Sequence, residues 1–356
     1  MRQLIGLLIP VCALAIGCGG GGGGGGGTKP TATPTPITKL FVRMSGNDDA
    51  NGATPDSAFQ TVARATQLVR PGTTIYVGAG TYSGSVQIHG SGNGTAAPIQ
   101  LIADTDGAHT GDAGEVILDG NESVALSVQS APSVSVDGFE LTGVANDPVV
   151  NVISSDGFTI RNCMILETAS VNGITLNNTD NALIFNNVIA VDNRGIQTVS
   201  SQNTRIISNT IVMDNAPALS IGTGSTSTTV RNNVIDSERA NINISVEDTA
   251  RATYDGDYNL VFARLLRPDD QASAYRPQQL QGPHDVNEDA LFVDRNGDDF
   301  HLDSGSPAVD AGNGENVSTD LLLELEQRST AVDNSRDMGV VDLGYHYPIP
   351  TATPSH

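Results

Sequence analysis

Residues 181–202 read NALIFNNVIAVDNRGIQTVSSQ, in which short aliphatic runs end every few residues at Asn, Asp or Ser. Val and Ile favour strands, whereas Asn, Asp and Ser favour turns. The stretch therefore predicts very short buried strands that are separated by sharp corners.

The same pattern recurs on both sides of this stretch. The segments FTIRNCMI, ALIFNNVI, TRIISNTI and TTVRNNVI align, with steps of 24, 22 and 24 residues. Their equivalent positions are Cys163, Asn187, Asn209 and Asn233. A second column begins at Val150, Ile174, Ile196 and Leu219. Strands that stay in phase over a period near 23 residues predict a solenoid of stacked coils.

A third strand, VIAV or TIVM, follows the corner in each coil. Three parallel strands per coil, joined by crossovers of the usual hand, predict an all-β right-handed parallel β-helix. Asn tolerates the left-handed backbone conformation that a sharp corner needs. The pairs Asn186/Asn187 and Asn232/Asn233 are therefore predicted to be structural corner residues rather than catalytic ones.

Both ends of such a solenoid need a cap, because an open coil exposes its core and its strand edges. The segment SAFQTVARATQLVRPG places Phe59, Val62 and Val69 on one helical face, which predicts an N-terminal capping helix. The repeat fades after Asp255. We expect the N-terminal cap and β-helix over 39–254, an irregular C-terminal cap over 255–347 and a disordered tail over 348–356. The C-terminal tail is also expected to cover the outward-facing Phe185.

The N-terminus has the features of an export signal. The apolar run from Leu4 to Ala15 is too short to span a bilayer and predicts a signal peptide over 1–17. The segment LAIGCGG resembles a bacterial lipoprotein signal with Cys18 as the lipidated residue, the alternative being an ordinary signal peptide. Nine glycines and TKPTATPTPIT then predict a disordered tether over 18–38. These features predict lipid anchoring at the outer membrane or cell surface.

The charge limits the choice of partner. The chain has 18 basic and 40 acidic residues, a formal net charge of −22. Such a charge repels nucleic acid and anionic lipid, so membrane contact is expected only through Cys18. It also repels acidic polysaccharide unless a cation such as Ca²⁺ intervenes. After lipidation only Cys163 remains as a thiol, so we expect no disulfide, and we expect a monomer.

Two segments resemble known secreted β-helix proteins. LFVRMSGNDDANG followed by PGTTIYVGAGTYSG resembles the N-terminal capping region of pectate-lyase-like right-handed β-helix proteins. The tail NEDALFVDRNGDDFHLDSGSPAVDAGNG resembles the C-terminal part of choice-of-anchor-type β-helix proteins. The resemblance implies export and architecture, but this fold carries lyases, hydrolases, epimerases and adhesins. Several lyases of this kind use a Lys base with Ca²⁺. The only lysines here are Lys29, in the predicted tether, and Lys39, at its end, so a Lys base is not expected. An Arg base remains open.

Acidic residues recur where the third strand ends. They are Glu167, Asp192, Asp214 and Asp236. Coils stack about 4.8 Å apart, so these carboxylates are expected at roughly 5 Å from one another. That separation disfavours ionisation of both members of a pair and matches retaining glycosidases. With Arg194 close by, Glu167, Asp192, Arg194 and Asp214 are the candidate catalytic residues; a Ca²⁺ or ligand site and ordinary solvated turns are the alternatives.

An uncharged polar row is expected on the strand after these acids. Its members Asn151, Thr175, Gln197 and Ser220 can hydrogen-bond sugar hydroxyls, which makes them candidate ligand-binding residues. The row has no acid, base or stacking aromatic. It is equally consistent with a plain solvated sheet face.

Two acidic loops are candidates for Ca²⁺, which prefers oxygen ligands at alternating positions. In DTDGAHTGD the ligands would be Asp104, Asp106 and Asp112. In DRNGDD the Asn-Gly dipeptide lies between LFV and FHL and favours a hairpin turn over a metal loop. Ca²⁺ is the only cofactor that the sequence suggests.

These observations predict an envelope-anchored β-helix that engages extracellular polysaccharide or cell-wall glycan, by binding or by cleavage as a lyase or glycoside hydrolase. A non-catalytic surface, adhesion or structural protein is the alternative. The residues leave open whether the protein is an enzyme.

Overall fold

A computed structural model describes residues 38–90 and 97–350, except for the single residues 144, 147, 168, 216, 240 and 316. All of them lie in one compact unit, Ile37–His356. The expected signal peptide, Cys18, the tether up to residue 37 and residues 351–356 lie outside the described residues. Among the residues that the structure describes, no helix is long and apolar enough to cross a membrane.

The chain winds into a right-handed parallel β-helix, as the period predicts. Each coil contributes one strand to each of three parallel sheets, which have nine, eight and eight strands. Between Val150 and Ile244, successive coils of the third sheet are 22 to 25 residues apart, close to the predicted period.

The strands are as follows. Sheet I contains Lys39–Val42, Thr74–Val77, Ile99–Ala103, Val134–Asp137, Thr159–Arg161, Leu183–Phe185, Arg205–Ile207, Thr229–Arg231 and Asp255–Asp257. Sheet II contains Gly80–Ser83, Val116–Asp119, Glu140–Thr142, Met164–Glu167, Val188–Val191, Thr210–Met213, Val234–Ser237 and Leu260–Ala263. Sheet III contains Val86–His89, Leu126–Gln129, Val150–Ile153, Ile174–Asn177, Ile196–Val199, Leu219–Ile221, Ile244–Val246 and Tyr275–Arg276.

The remaining elements are short. The α-helices are Val62–Thr66, Asp248–Arg251 and Thr319–Leu325. The 3₁₀ turns are Pro55–Ser57, Pro268–Ala274, Gln278–Leu280 and Arg295–Gly297. Two antiparallel pairs join Phe292–Asp294 to Asp299–Leu302 and Arg328–Ser329 to Tyr347–Pro348. The first of these pairs is the hairpin that Asn-Gly predicts.

The N-terminal cap is a shorter helix than the amphipathic pattern suggests. Val62 and Ala65 in the helix are buried, and so is Phe59, which precedes it. These side chains belong to the same hydrophobic core as the inward-facing aliphatic residues of the first coils. The helix therefore closes the start of the solenoid as expected.

The corner between sheets I and II explains the Asn pairs. The first residue of each pair has a left-handed backbone, with φ of 50° at Asn186 and 57° at Asn232. The second residue points inward, and Asn187 and Asn233 are fully buried. The prediction that these are corner residues is confirmed.

The β-helix extends beyond the predicted boundary at residue 254. Asp255–Asp257, Leu260–Ala263 and Tyr275–Arg276 add one more strand to each sheet. The period fades from the sequence because an insertion, residues 264–274, separates the last two of these strands. Tyr275 is buried in the main core, and Leu266 and Leu280 pack against that core.

Residues 286–350, named here the C-terminal strap, run back over sheets I and II instead of only closing the end. The helix Thr319–Leu325 packs Leu321 and Leu325 against Phe185, which confirms that the tail covers this outward side chain. Two other strap residues, Phe300 and Tyr345, form a separate hydrophobic cluster with Val188 and Val212 of sheet II. Pro348, expected in the disordered tail, pairs with Arg328.

Candidate functional site

A groove of about 320 Å³ lies where the strands of sheet II end, beneath the tip of the strap hairpin. It is named here the acid groove. Its acidic wall is formed by Glu167, Asp192 and Asp214. The hairpin adds Arg295, Asn296 and Asp298, and the apolar lining residues include Leu166, Ala190, Val212 and Phe300. Three of the four predicted catalytic residues are thus in one groove.

Strand register decides which of these acids are true neighbours. Val191 pairs with Met213, so Asp192 and Asp214, which follow them, occupy equivalent positions in adjacent coils. Glu167 pairs with Val191 and is therefore offset by one residue. Burial raises the pKa of Asp192, the Asp214 carboxylate raises it further, and Arg239 opposes both effects. An Arg239 nitrogen lies 3.8 Å from Asp214. The Asp192 carboxyl group therefore holds its proton more readily than an ordinary aspartic acid.

The expected row does not include Asp236. Asp236 pairs with Val212, so it lies on the outer face of sheet II, two residues before the position equivalent to Asp214. Glu238 occupies that equivalent position instead. Its side chain is fully buried and lies 2.7 Å from Arg264 and 3.2 Å from Arg295. Burial raises the pKa of Asp236, and these guanidiniums oppose the shift. The carboxylate anchors the strap hairpin and does not line the groove.

Arg194 is not among the residues that line the acid groove. Its backbone N–H donates to Asn172 Oδ1 at 3.3 Å, and its carbonyl accepts from Gly173 at 2.8 Å. Its buried Nε has no hydrogen-bond partner among the described residues. The predicted combination of Asp192 with an arginine base is therefore not assembled in this groove.

The guanidinium that does line the groove belongs to Arg295, which the sequence analysis missed. Its Nε lies 3.2 Å from Asp236, and its Nη2 donates to the Met213 carbonyl at 3.3 Å. Its Nη1 lies 3.7 Å from Glu238. Because these contacts hold the side chain in place, Arg295 forms a fixed cationic wall. The hairpin was recognisable from Asn-Gly, but nothing local shows where the hairpin docks.

The uncharged polar row of sheet III lies in register as expected. Asn151, Thr175, Gln197 and Ser220 pair in sequence across four coils and are half-buried. Gln197 accepts a hydrogen bond from Asn172 at 3.2 Å. No hydrophobic cluster of the described residues places the strap over this sheet.

The three carboxylates of the DTDGAHTGD loop that are predicted to share a Ca²⁺ ion have separate partners in the structure. Asp104 is buried and accepts hydrogen bonds from the backbone and hydroxyl of Thr110. Asp112 forms a two-point ion pair with Arg43 at 2.6 and 2.7 Å, which lowers the pKa of Asp112. Asp106 accepts from the Ala108 backbone instead. The three carboxylates stabilise separate parts of the loop, and no cluster of metal-ligating side chains occurs elsewhere in the described ranges.

A second, larger cavity of about 960 Å³ lies on the early coils beside the corner of sheets I and II. It is named here the side groove. Its walls include His109, Glu115, Glu140, Arg328, Tyr345 and Tyr347. Burial raises the pKa of Glu140, and the charges of Glu115 and Asp298 add to this effect. No local sequence pattern predicts this cavity, because five of its twenty lining residues come from the strap, at least 164 positions after the others.

Together these features define a right-handed parallel β-helix protein with a strap-covered flank. Residues 105–255 match the family model described as a right handed beta helix region. No curated protein matches the chain.

Solved structures of the same architecture are similar at low identity. XylC in complex with xylose is 12% identical, with a TM-score of 0.40, over 63% of this chain and 66% of that one. Pectate lyase Pel9A is 15% identical, with a TM-score of 0.35, over 87% and 96%. The GH136 lacto-N-biosidase from Eubacterium ramulus is 11% identical, with a TM-score of 0.30, over 70% and 67%. The match spans just under two thirds of the XylC chain, and similarity at this level does not bear on the chemistry of the acid groove.

Proposed function

We propose that this protein is an exported, lipid-anchored β-helix that binds extracellular or cell-wall polysaccharide in the acid groove and hydrolyses it there. The observation that carries the proposal is the pair Asp192 and Asp214, which follow paired strands in adjacent coils and line one groove. Sugar sites combine apolar surface with a few placed polar groups, and this groove has both.

The chemistry of the pair favours hydrolysis over lyase action. Glycoside hydrolysis needs one carboxyl group that holds a proton and one that is ionised. The raised pKa of Asp192 suits the proton donor, and Asp214, which lies 3.8 Å from Arg239, is the second carboxyl group that the reaction needs. A lyase needs a free base instead, and Arg295 is engaged by Asp236 and Met213. Ca²⁺ held between the two carboxylates is the competing use of the pair.

A non-catalytic adhesion or structural role is the second candidate, and the polar row of sheet III, in register over four coils, favours it. Gln197 and its neighbours could bind sugar hydroxyls along several coils without any acid or base. In that case the acid groove would contribute nothing to glycan binding.

The test uses the full chain, purified in detergent, with pectate, alginate and neutral glycans, each in Ca²⁺ and in EDTA. Binding is followed by calorimetry, hydrolysis by new reducing ends, and lyase action by ultraviolet absorbance of unsaturated ends. We expect reducing ends without absorbance. Asp192→Asn should reduce the rate at least about a hundredfold, as expected when a general acid is lost.

Asp49→Asn is the matched control, because Asp49 is an exposed acid of the N-terminal region. This substitution removes the same charge as Asp192→Asn. Its rate should equal that of the wild type. Gln197→Ala tests the second candidate. Glycan binding that survives Asp192→Asn and Asp214→Asn but is lost in Gln197→Ala would replace the proposal with the adhesion role. Unsaturated ends that disappear in EDTA would replace hydrolysis with a Ca²⁺-dependent lyase.

A further inference from the structure

We propose that the acid groove and the side groove are two halves of one surface, and that it binds an extended glycan carrying free amino groups. Such a ligand is a de-N-acetylated amino-sugar polymer. This inference rests on the proposed function, since it names the class of glycan that the same groove would take.

The two cavities meet on a single strand of sheet II. Glu140 lines the side groove and Thr142 lines the acid groove. Both project from the outer face of Glu140–Thr142, because Leu141 between them is buried in the core. Residues two apart on a strand are separated by about 7 Å, which is less than the length of two sugar residues. A ligand that fills one cavity and extends past this strand would enter the other.

One wall of the strap borders both cavities. Asp298 of the hairpin lines the acid groove and is close enough to Glu140 to raise its pKa. Tyr347 lines the side groove, and its hydroxyl accepts a hydrogen bond at 3.1 Å from Phe300, which lines the acid groove. The ring of Tyr347 also stacks on His301 at 3.6 Å. The wall is thus a single packed unit across the two cavities.

The charges along this surface favour a cationic ligand. Glu140, Asp192 and Asp298 form no ion pair among the described residues. The two guanidiniums are already engaged, Arg295 by Asp236 and Arg328 by Glu324 at 3.6 Å. The surface therefore carries a net negative charge before any ligand binds. An anionic glycan would add like charge, whereas ammonium groups would donate charge-assisted hydrogen bonds to the free carboxylates.

The shape and the lining favour a sugar chain over a small cation. The cavities measure about 320 and 960 Å³, too large for a single ammonium ion to fill. Apolar side chains, Leu166 in the acid groove and Met164 in the side groove, also line the surface and offer contact to the C–H faces of sugar rings. A basic peptide has similar charges, and it is included in the test for that reason.

The experiment compares two hexasaccharides that differ only in charge, glucosamine and N-acetylglucosamine hexamers, by calorimetry on the full chain. We expect the amine form to bind at least about tenfold more tightly and to weaken with added salt. Glu140→Gln in the side groove and Asp298→Asn in the acid groove should each weaken this binding about tenfold, since each removes a charge-assisted hydrogen bond. The control Asp49→Asn should leave the affinity for the glucosamine hexamer unchanged. Circular dichroism should show that every variant is folded like the wild type.

Each remaining outcome overturns a defined part of the inference. Equal binding of both hexamers, or binding only of another glycan in the panel, overturns the amine preference and leaves the proposed glycan function standing. An effect of only one of the two acidic variants overturns the continuity of the cavities. Binding of polylysine with no binding of any glycan overturns both the inference and the proposed function.

Discussion

At the residue scale, the inner Asn of each corner forms a hydrogen-bonded column along the solenoid. The side-chain amide of Asn209 donates to Asn233 Oδ1 and to the Ile184 carbonyl, both at 3.0 Å. Its oxygen accepts from the backbone N–H of Asn187 at 2.9 Å. Because Asn209 is fully buried and each of these groups is paired, the column contributes to stability as a satisfied polar network.

Asn209→Ala should lower the free energy of unfolding by about 2–4 kcal/mol, because it removes the acceptor of the buried Asn187 backbone N–H and the donor to the Ile184 carbonyl. Urea unfolding followed by circular dichroism measures the change. The control is Asn177→Ala, an exposed Asn at a strand end, which should change stability by less than about 0.5 kcal/mol. Equal losses in the two variants would show that the column has no special role.

At the scale of elements, the strap helix Thr319–Leu325 is held on sheet I by side chains from one face. Leu325 is buried against the cluster that contains Phe185 and Ile207, whereas Leu323 on the other face is 52% exposed. Glu324 adds an ion pair with Arg161 at 2.6 Å. The helix therefore protects apolar outward residues of the solenoid from water.

Leu325→Ala should cost about 2–4 kcal/mol of unfolding free energy, the usual range for a buried Leu that leaves a cavity. Limited proteolysis should then cut the strap before the coils, because a solenoid can lose a peripheral segment while its stack persists. Leu323→Ala should leave both stability and the cleavage pattern unchanged. Identical cleavage of the two variants would contradict the packing role of the helix.

These elements also show what a single sequence can and cannot predict here. The coils were predictable because each strand packs on its copy one period away, so the pattern repeats in the sequence. Asp192 and Asp214 were found for the same reason. The strap was predicted only as part of an irregular C-terminal cap that also covers Phe185. Its docking rests on contacts between residues far apart in the chain, such as Arg295 with Asp236, which have no local signature.

For the molecule as a whole, Cys18 and Cys163 differ in whether they can carry a lipid. Cys18 follows the expected signal peptide, whereas Cys163 is fully buried in the described structure, and burial raises the pKa of its thiol to about 12. A buried thiol of such high pKa is unreactive, so it offers no route to lipidation. Only Cys18 is therefore expected to tie the solenoid to a membrane.

Cys18→Ser should move the expressed protein from the detergent phase to the aqueous phase of a phase-separation assay and abolish labelling by radioactive fatty acid. Cys163→Ala is the matched control, and it should leave the protein lipid-labelled in the detergent phase. The Cys18→Ser variant should leave the detergent phase because it loses lipid chains that contribute about 0.8 kcal/mol of membrane-binding free energy per buried methylene. The acidic β-helix has no affinity for anionic lipid that could replace this contribution. A wild-type protein found in the aqueous phase without label would show that the signal is an ordinary one and that the β-helix is released after export.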